Sequence, residues 1–237
     1  MIAFHTVAAI VLTAGRSTRM GGGENKVLSP LGNRPVLAYS LGIFQQCPAV
    51  THVMVVGRQE EREVLESTAR ACCPKAAGLF APGAAERFDS VRNGLEACQA
   101  FSPGAVLIHD SARPFLQERY IVSSLAALEK HPGAVVGVPL KDTLKETRPD
   151  ATVIRTHERS RYWLSQTPQT FRYPEILRAY RAYTPPPYPT DDGAVLEWAG
   201  GTVAMVEGSY LNIKLTAPED WILAESIRKL QLESIAK

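Results

Sequence analysis

The sequence predicts an α/β fold: a mainly parallel sheet with helices on both faces and one antiparallel β-arm projecting from it. Three observations carry this expectation. Short apolar runs rich in β-branched residues recur along the chain and alternate with segments of helical spacing. The first run breaks at Ala14-Gly15 into a loop that holds glycines, Ser17, Thr18, Arg16, Arg19 and finally Lys26. Between Lys141 and Arg155 the rhythm fails, and two strand-like stretches flank a Pro-Asp turn with no helix between them.

Each element has its own warrant. Ala8-Ala9-Ile10-Val11-Leu12 lacks polar alternation, as a parallel strand covered on both faces requires. Leu31-Gly32-Asn33-Arg34-Pro35 is a turn, and Pro35 suits a helix start for the apolar spacing of Val36 to Gln46. His52 to Val56 is a second buried strand, followed by a charged helix from about Arg58 to Ala71. The segment Ala77 to Pro82 is weakly strand-like and leads through Gly83–Ser90 into a helix ending near Ala100. Ala105 to His109 is a clear strand that stops at Asp110-Ser111-Ala112-Arg113-Pro114. A helix from Glu118 to Lys130 and a strand from Ala134 to Pro139 complete a series of βαβ units with right-handed crossovers.

The arm follows, as Lys141 to Glu146 and Thr152 to Arg155; it has too little core to stand alone and so packs on a partner. After Thr167-Pro168-Gln169 comes a helix from Pro174 to about Tyr183, then a Pro185-Pro186-Pro187 linker. Thr190 caps a helix running through Trp198, with Asp191 and Asp192 in its first turn. Val203 to Glu207 and Leu211-Asn212-Ile213 read as strands. Thr216-Ala217-Pro218-Glu219 fits a capping box that opens a last helix to about Ile235.

Composition narrows the possible functions. With 237 residues, 45% hydrophobic and 21% charged, the chain has the makeup of a soluble globular domain that needs no staples. A net charge of +2 gives no field for nucleic acid or an anionic membrane, so local basic clusters matter more. No apolar run reaches a membrane span, and the opening reads as a strand rather than a signal peptide. Cys47, Cys72, Cys73 and Cys98 show no C-x-x-C spacing; they read as buried thiols in a reducing cytosol.

Chemistry is expected where open parallel sheets bind ligands, beyond the carboxyl ends of the strands. Three features fall there: the loop from Ala14 to Lys26, the Gly83–Ser90 turn, and Asp110–Arg113. Glycines let a backbone approach a ligand, and exposed N–H groups flanked by fixed cations suit a polyphosphate. The loop is neither a Walker A motif nor a G-x-G-x-x-G fingerprint, so a basic surface loop stands beside the phosphate reading. Asp110 suits a metal ion and Arg113 an anion, or the two form a local ion pair. Lys214 reads as a solvated lysine by itself, and His109 as a neutral packed histidine. Trp163, Trp198 and Trp221 sit in apolar patterns and read as core.

Taken together these stretches resemble a known family. Ala14-Gly15, Arg19-Met20 and Lys26, then Asp89-Ser90, Asp110–Pro114, Asp142-Thr143, Thr167-Pro168-Gln169, Thr190-Asp191-Asp192 and Asn212-Ile213-Lys214 occur in the order seen in 2-C-methyl-D-erythritol 4-phosphate cytidylyltransferases. The resemblance runs from about Val7 to Ala224 and implies a Rossmann-like nucleotidyltransferase fold, one domain over 1–237 with an arm at about 140–160. It implies that CTP and 2-C-methyl-D-erythritol 4-phosphate, a polyol phosphate, would give 4-diphosphocytidyl-2-C-methyl-D-erythritol and pyrophosphate. Arg19 and Lys26 would hold the triphosphate, and Lys214 would reach the α-phosphate from the far side. Magnesium, bound mainly by phosphate oxygens, would face Asp110, with Arg113 beside it. Cytosine would be read at Ala14, Gly15, Ala84, Ala85 and Ser90; Ala84-Ala85 stands where the family often has Gly-Asp, so a side-chain contact is missing there. The family is a cytoplasmic homodimer in which the arm of one subunit closes the acceptor site of the other. Thr143, Arg159, Thr167 and Thr190 match its substrate-binding positions, with Lys141 adding charge. Three rivals remain at this point. They are a ribitol-5-phosphate cytidylyltransferase, another sugar-1-phosphate nucleotidyltransferase, and a non-catalytic nucleotide-binding regulator.

Overall fold

The computed structural model describes residues 4–15 and 25–235. Arg16 and Arg19 lie outside the described residues, as does most of the basic loop.

Seven strands form the main sheet. In chain order they are β1 (Val7–Leu12), β4 (His52–Gly57), β5 (Phe80–Pro82), β6 (Ala105–Asp110), β7 (Gly133–Pro139), β10 (Trp163–Arg172) and β11 (Val203–Glu207). Two small hairpins account for the missing numbers: β2 (Pro30–Leu31) with β3 (Arg34–Pro35), and β8 (Lys145–Thr147) with β9 (Val153–Thr156). The sheet order is β11-β7-β10-β6-β1-β4-β5. All pairings are parallel except the two made by β10.

Strand periodicity sends alternate side chains of β1 to opposite layers. Val7, Ala9 and Val11 join Phe44, Leu65 and Tyr120 on one face. Ala8 and Ile10 join Leu95, Ile176 and Tyr180 on the other. The helices behind the first layer are α1 (Val36–Gln46), α2 (Arg62–Cys72) and α4 (Glu118–Ala127); behind the second are α3 (Arg87–Ala97), α5 (Tyr173–Ala182) and α6 (Asp192–Trp198). A last helix, α7 (Pro218–Ile235), covers the β2–β3 hairpin, where Leu31, Leu215 and Ile227 form a third cluster. No helix among the described residues is long and apolar enough to cross a membrane.

Several expectations are corrected. The ten-residue β10 has no counterpart in the sequence pattern. Its buried stretch, residues 166–171, carries Gln166, Thr167, Gln169 and Thr170, whose polar groups are matched only in the folded state, as in the 2.7 Å bond from Thr170 Oγ1 to Ser124 Oγ. Pro168 sits inside the register shift between Ser165 and Gln169, where a strand tolerates a missing N–H. Trp163 is 38% and Trp198 56% exposed, so neither is core. Trp163 lies on the end of β10 that runs past β6, which pairs only with Gln169–Arg172. Residues 211–213 form no strand: 211 lies in a turn, 212 in a bend and 213 in irregular backbone.

Both predicted caps sit one residue late. Asp191, not Thr190, caps α6 by accepting the Ala194 N–H at 2.9 Å. At α7, Asp220 rather than Glu219 accepts from the N–H groups of Thr216 (2.6 Å) and Ala217 (2.8 Å). At α6 the carboxylate is a stronger acceptor than the Thr190 hydroxyl. The arm pairs Lys145–Thr147 with Val153–Thr156 in antiparallel register, and residues 141–144 stay outside the ladder.

Burial settles the minor chemistry. Cys47, Cys73 and Cys98 are buried, and burial raises their thiols, to about 11 for Cys73 and about 12 for Cys98. Cys72 is half-buried and donates to the Thr68 carbonyl. His109 is fully buried, with Nε2 3.2 Å from the Arg113 carbonyl and Nδ1 3.0 Å from Thr167 Oγ1. A carbonyl only accepts, so Nε2 carries the proton and Nδ1 takes the Thr167 hydroxyl, the neutral tautomer.

Burial, with help from Arg113 and Lys214, lowers this ring from 6.5 to about 4. Between those values the unfolded chain binds the extra proton, so stability is full above pH 6.5 and falls as the pH drops toward 4. The loss is on the order of 3 kcal/mol. Urea midpoints across this window should fall for the wild type and flatten for His109→Gln. Parallel curves for the two proteins would refute the assignment.

Candidate active site

The chain leaves β1 for β4 on one side of the sheet and returns to β6 on the other, so the order reverses beside β1 and opens a crevice at the strands' carboxyl ends. Register aligns those ends: Leu12 faces Val56 and Asp110, and Gly57 faces Pro82. A cleft of about 270 Å³ lies there. Eight of the expected residues line it: Ala14, Gly15, Lys26, Ala84, Ala85, Ser90, Asp110 and Lys214.

Each is delivered by local geometry. Lys26 follows Asn25, whose buried amide donates to the Thr13 carbonyl (2.8 Å) and Glu61 Oε2 (2.7 Å). That pair closes the far end of the basic loop against the start of its own strand exit. Ser90 is buried; its hydroxyl takes the Ala84 N–H at 2.9 Å and donates to the Glu86 carbonyl at 3.1 Å, so it shapes the turn that Ala84 and Ala85 present. Gly83 packs so closely that an added Cβ would overlap the Ala14 Cβ. Lys214 reaches the cleft because Asn212 is locked to Gln166 Oε1 and the Thr167 carbonyl, both at 3.1 Å, and Leu215 N–H donates to the Ala112 carbonyl.

Asp110 is the centre of charge. Oδ2 lies 2.6 Å from Lys214 Nζ and Oδ1 lies 3.1 Å from Arg87 Nε. Burial acts to raise its pKa; Arg87, Lys214 and Arg113 overcome that and hold the carboxyl far below the usual range. Its main-chain N–H is taken by Thr167 Oγ1 at 3.2 Å. The local Asp110–Arg113 ion pair does not form: Arg113 Nη1 donates to the Asn212 carbonyl at 2.8 Å instead.

Other expected residues are not brought into the cleft. Thr167 is buried behind Asp110, which it supports rather than faces ligand. Thr190 is exposed beside α6, one residue before its cap. Thr143 and Arg159 are exposed on the arm, where Arg159 donates to the Lys141 carbonyl and Lys141 Nζ lies 3.4 Å from the Tyr210 ring centre. Sequence reasoning missed Asn25, Glu61, Arg87 and Asp192. Asp192 stands in the Thr190-Asp191-Asp192 stretch, but its pairing with an Arg 105 residues away leaves no local signal.

Among the described residues that line the cleft, the charged side chains are Lys26, Lys214, Arg87, Asp110 and Glu86, beside hydroxyls and main-chain groups. Among the described residues no group of three or more His, Cys, Asp or Glu is placed to hold a metal ion. A single carboxylate does fit a cation that takes most of its ligands from phosphate oxygens and water.

Comparisons with known proteins agree with this geometry. Residues 7–229 match the model of the 2-C-methyl-D-erythritol 4-phosphate cytidylyltransferase family (IspD). A protein of that name from Syntrophotalea carbinolica is 44% identical over 227 residues, covering 93% of this chain and 95% of that one. Its counterpart from Halalkalibacterium halodurans is 39% identical, covering 93% and 96%. The crystal structure of 4-diphosphocytidyl-2C-methyl-D-erythritol synthase from Anaerococcus prevotii superposes with a TM-score of 0.81 at 29% identity, covering 94% of this chain and 96% of that one.

Proposed function

The chain belongs to the 2-C-methyl-D-erythritol 4-phosphate cytidylyltransferase family, and from that premise we propose how its own residues carry the reaction. The activity is a nucleotidyl transfer: CTP and 2-C-methyl-D-erythritol 4-phosphate give 4-diphosphocytidyl-2-C-methyl-D-erythritol and pyrophosphate, in the non-mevalonate route to isoprenoids. The same matches favour methylerythritol phosphate over ribitol phosphate as acceptor.

The observation that carries the proposed roles is the convergence of Lys26 with the Lys214–Asp110 pair in one cleft without an activated nucleophile among its described residues. None is needed. The acceptor's phosphate oxygen is already anionic; it forms the new bond to the α-phosphorus while the α–β anhydride bond breaks and its electrons leave with pyrophosphate. Lys26, with Arg19 from the loop outside the described residues, grips the triphosphate. Lys214 neutralises charge at the α-phosphate. The Ala14–Gly15 main chain and the Ala84–Ser90 turn seat the base. Asp110 would hold magnesium, which supplies charge neutralisation along the triphosphate when bound. Arg113 stays beside Asp110 as its neighbouring charge.

The acceptor site takes residues from two subunits. Thr143 and Arg159 stand on an arm that leaves the cleft of its own chain, and the exposed Val153, Ile154, Trp163 and Leu164 give that region an apolar surface. A homodimer with exchanged arms brings them to the partner's cleft; Thr190 completes that wall. We place the enzyme in the cytoplasm as a single nucleotidyltransferase domain.

Pyrophosphate release with CTP, ATP, UTP and GTP against methylerythritol phosphate and ribitol phosphate tests the assignment. Only CTP with methylerythritol phosphate should turn over efficiently; faster turnover with ribitol phosphate would overturn it. Gly83→Ala gives a second test, since its methyl must displace Ala14. The CTP KM should rise on the order of 10-fold with the acceptor KM unchanged. Equal KM values for CTP in the two proteins would remove the turn from the base site.

A further inference from the structure

We propose that Arg87 is a positioning residue that sets the spacing between the nucleotide wall and the acceptor wall of the cleft, by gripping Asp110 and Asp192 at once. The proposal rests on the cytidylyltransferase reading and deepens it. Arg87 opens α3, directly after the turn assigned to the base. Its Nε meets Asp110 Oδ1 at 3.1 Å. Its two terminal nitrogens form a fork on Asp192, Nη1 to Oδ1 at 2.8 Å and Nη2 to Oδ2 at 2.7 Å.

Asp192 is the first residue of α6, fully buried, and does not line the cleft. The Tyr180 hydroxyl donates to its Oδ1 at 2.5 Å. The N-terminus of α6 has other partners for its N–H groups, because Gln169 Oε1 accepts from Asp192 and Gly193 and Asp191 accepts from Ala194. The Asp192 carboxylate is therefore not required as a cap. What it does is receive Arg87. Burying such a pair costs desolvation that an apolar pair would avoid, so its contribution is geometric. Thr190, assigned to the acceptor, lies two residues upstream of that anchor. One planar guanidinium thereby ties the base turn, Asp110 and the acceptor wall into one spacing. A lysine is a point charge on a flexible stem and reaches one carboxylate at a time.

Steady-state kinetics for both substrates, with thermal midpoints, test this on the full-length wild type, Arg87→Lys, Asp192→Asn, Tyr180→Phe and the Arg87→Lys/Asp192→Asn double variant. Arg87→Lys and Asp192→Asn should each raise the acceptor KM on the order of 10-fold and leave the CTP KM within about threefold. Lysine should not rescue, and the double variant should be no worse than Arg87→Lys, because the bridge is already cut. Tyr180→Phe, the mildest change, should raise the acceptor KM about threefold with little change in thermal midpoint. A wild-type acceptor KM in both Asp192→Asn and Tyr180→Phe would overturn the proposal, as would parallel changes in both KM values. A wild type that releases no pyrophosphate from CTP and methylerythritol phosphate would instead overturn the functional reading, and this one with it.

Discussion

Lys26→Ala is expected to lower kcat by a factor on the order of 100 or more, the scale set by loss of one preorganised transition-state charge. Lys26 lines the cleft at the junction where the basic loop re-enters the fold, and its backbone is held by the Asn25 amide between Thr13 and Glu61. That anchoring places the charge before substrate arrives, so little reorganisation is spent during the reaction. Charge grows on the oxygens around the α-phosphorus as the bond to pyrophosphate breaks. A cation fixed there stabilises the transition state more than the ground state, so kcat falls further than the CTP KM rises. Arg19→Ala should show the same pattern. Lys26→Arg keeps the charge in a different shape and should retain more activity than Lys26→Ala. Wild-type turnover in either alanine variant would show that the loop does not grip the triphosphate.

Arg159→Ala is expected to raise the acceptor KM by 10- to 100-fold, the scale of one lost charge-assisted phosphate contact, with the CTP KM unchanged. Arg159 is exposed on its own chain, and its guanidinium donates to the Lys141 carbonyl at the base of the arm. It does not line the cleft of its own chain. If the arm completes the partner's site, the variant mixed with a cleft-dead partner such as Lys26→Ala should regain acceptor binding at the sites whose arms are wild type. Shortening the arm at Arg148–Thr152 should yield a monomer that still binds CTP and has lost the acceptor. An arm-shortened monomer with the wild-type acceptor KM would sink the exchanged-arm site.

The sheet was legible where burial writes a local pattern. Ala8–Leu12 and Ala105–His109 are covered on both faces, so nearly every residue is apolar and the strand announces itself. Helix α1 was legible for the complementary reason, a proline start and apolar spacing through Gln46. The antiparallel β10 was not, because most of its buried side chains are polar, and groups such as Thr170 and Gln166 find partners 46 residues along the chain. The two tryptophans misread as core follow from the same blindness. Composition tells that a residue is apolar, and only the packing of neighbours tells whether anything covers it.

The candidate site divides along the same line. Order along the chain was enough for the α/β class, the placement of a cleft at strand ends, the family and the two lysines that line that cleft, since each depends on residue type and nearby spacing. Folding alone could reveal that Asp110 is held between Lys214 and Arg87 rather than by Arg113, that Thr167 works from behind it, and that Asp192 belongs to the same network. Those partners lie 23 to 105 residues apart. Electrostatic attraction depends on distance in space, and a buried charge takes whichever counter-charge the packed backbone leaves within reach.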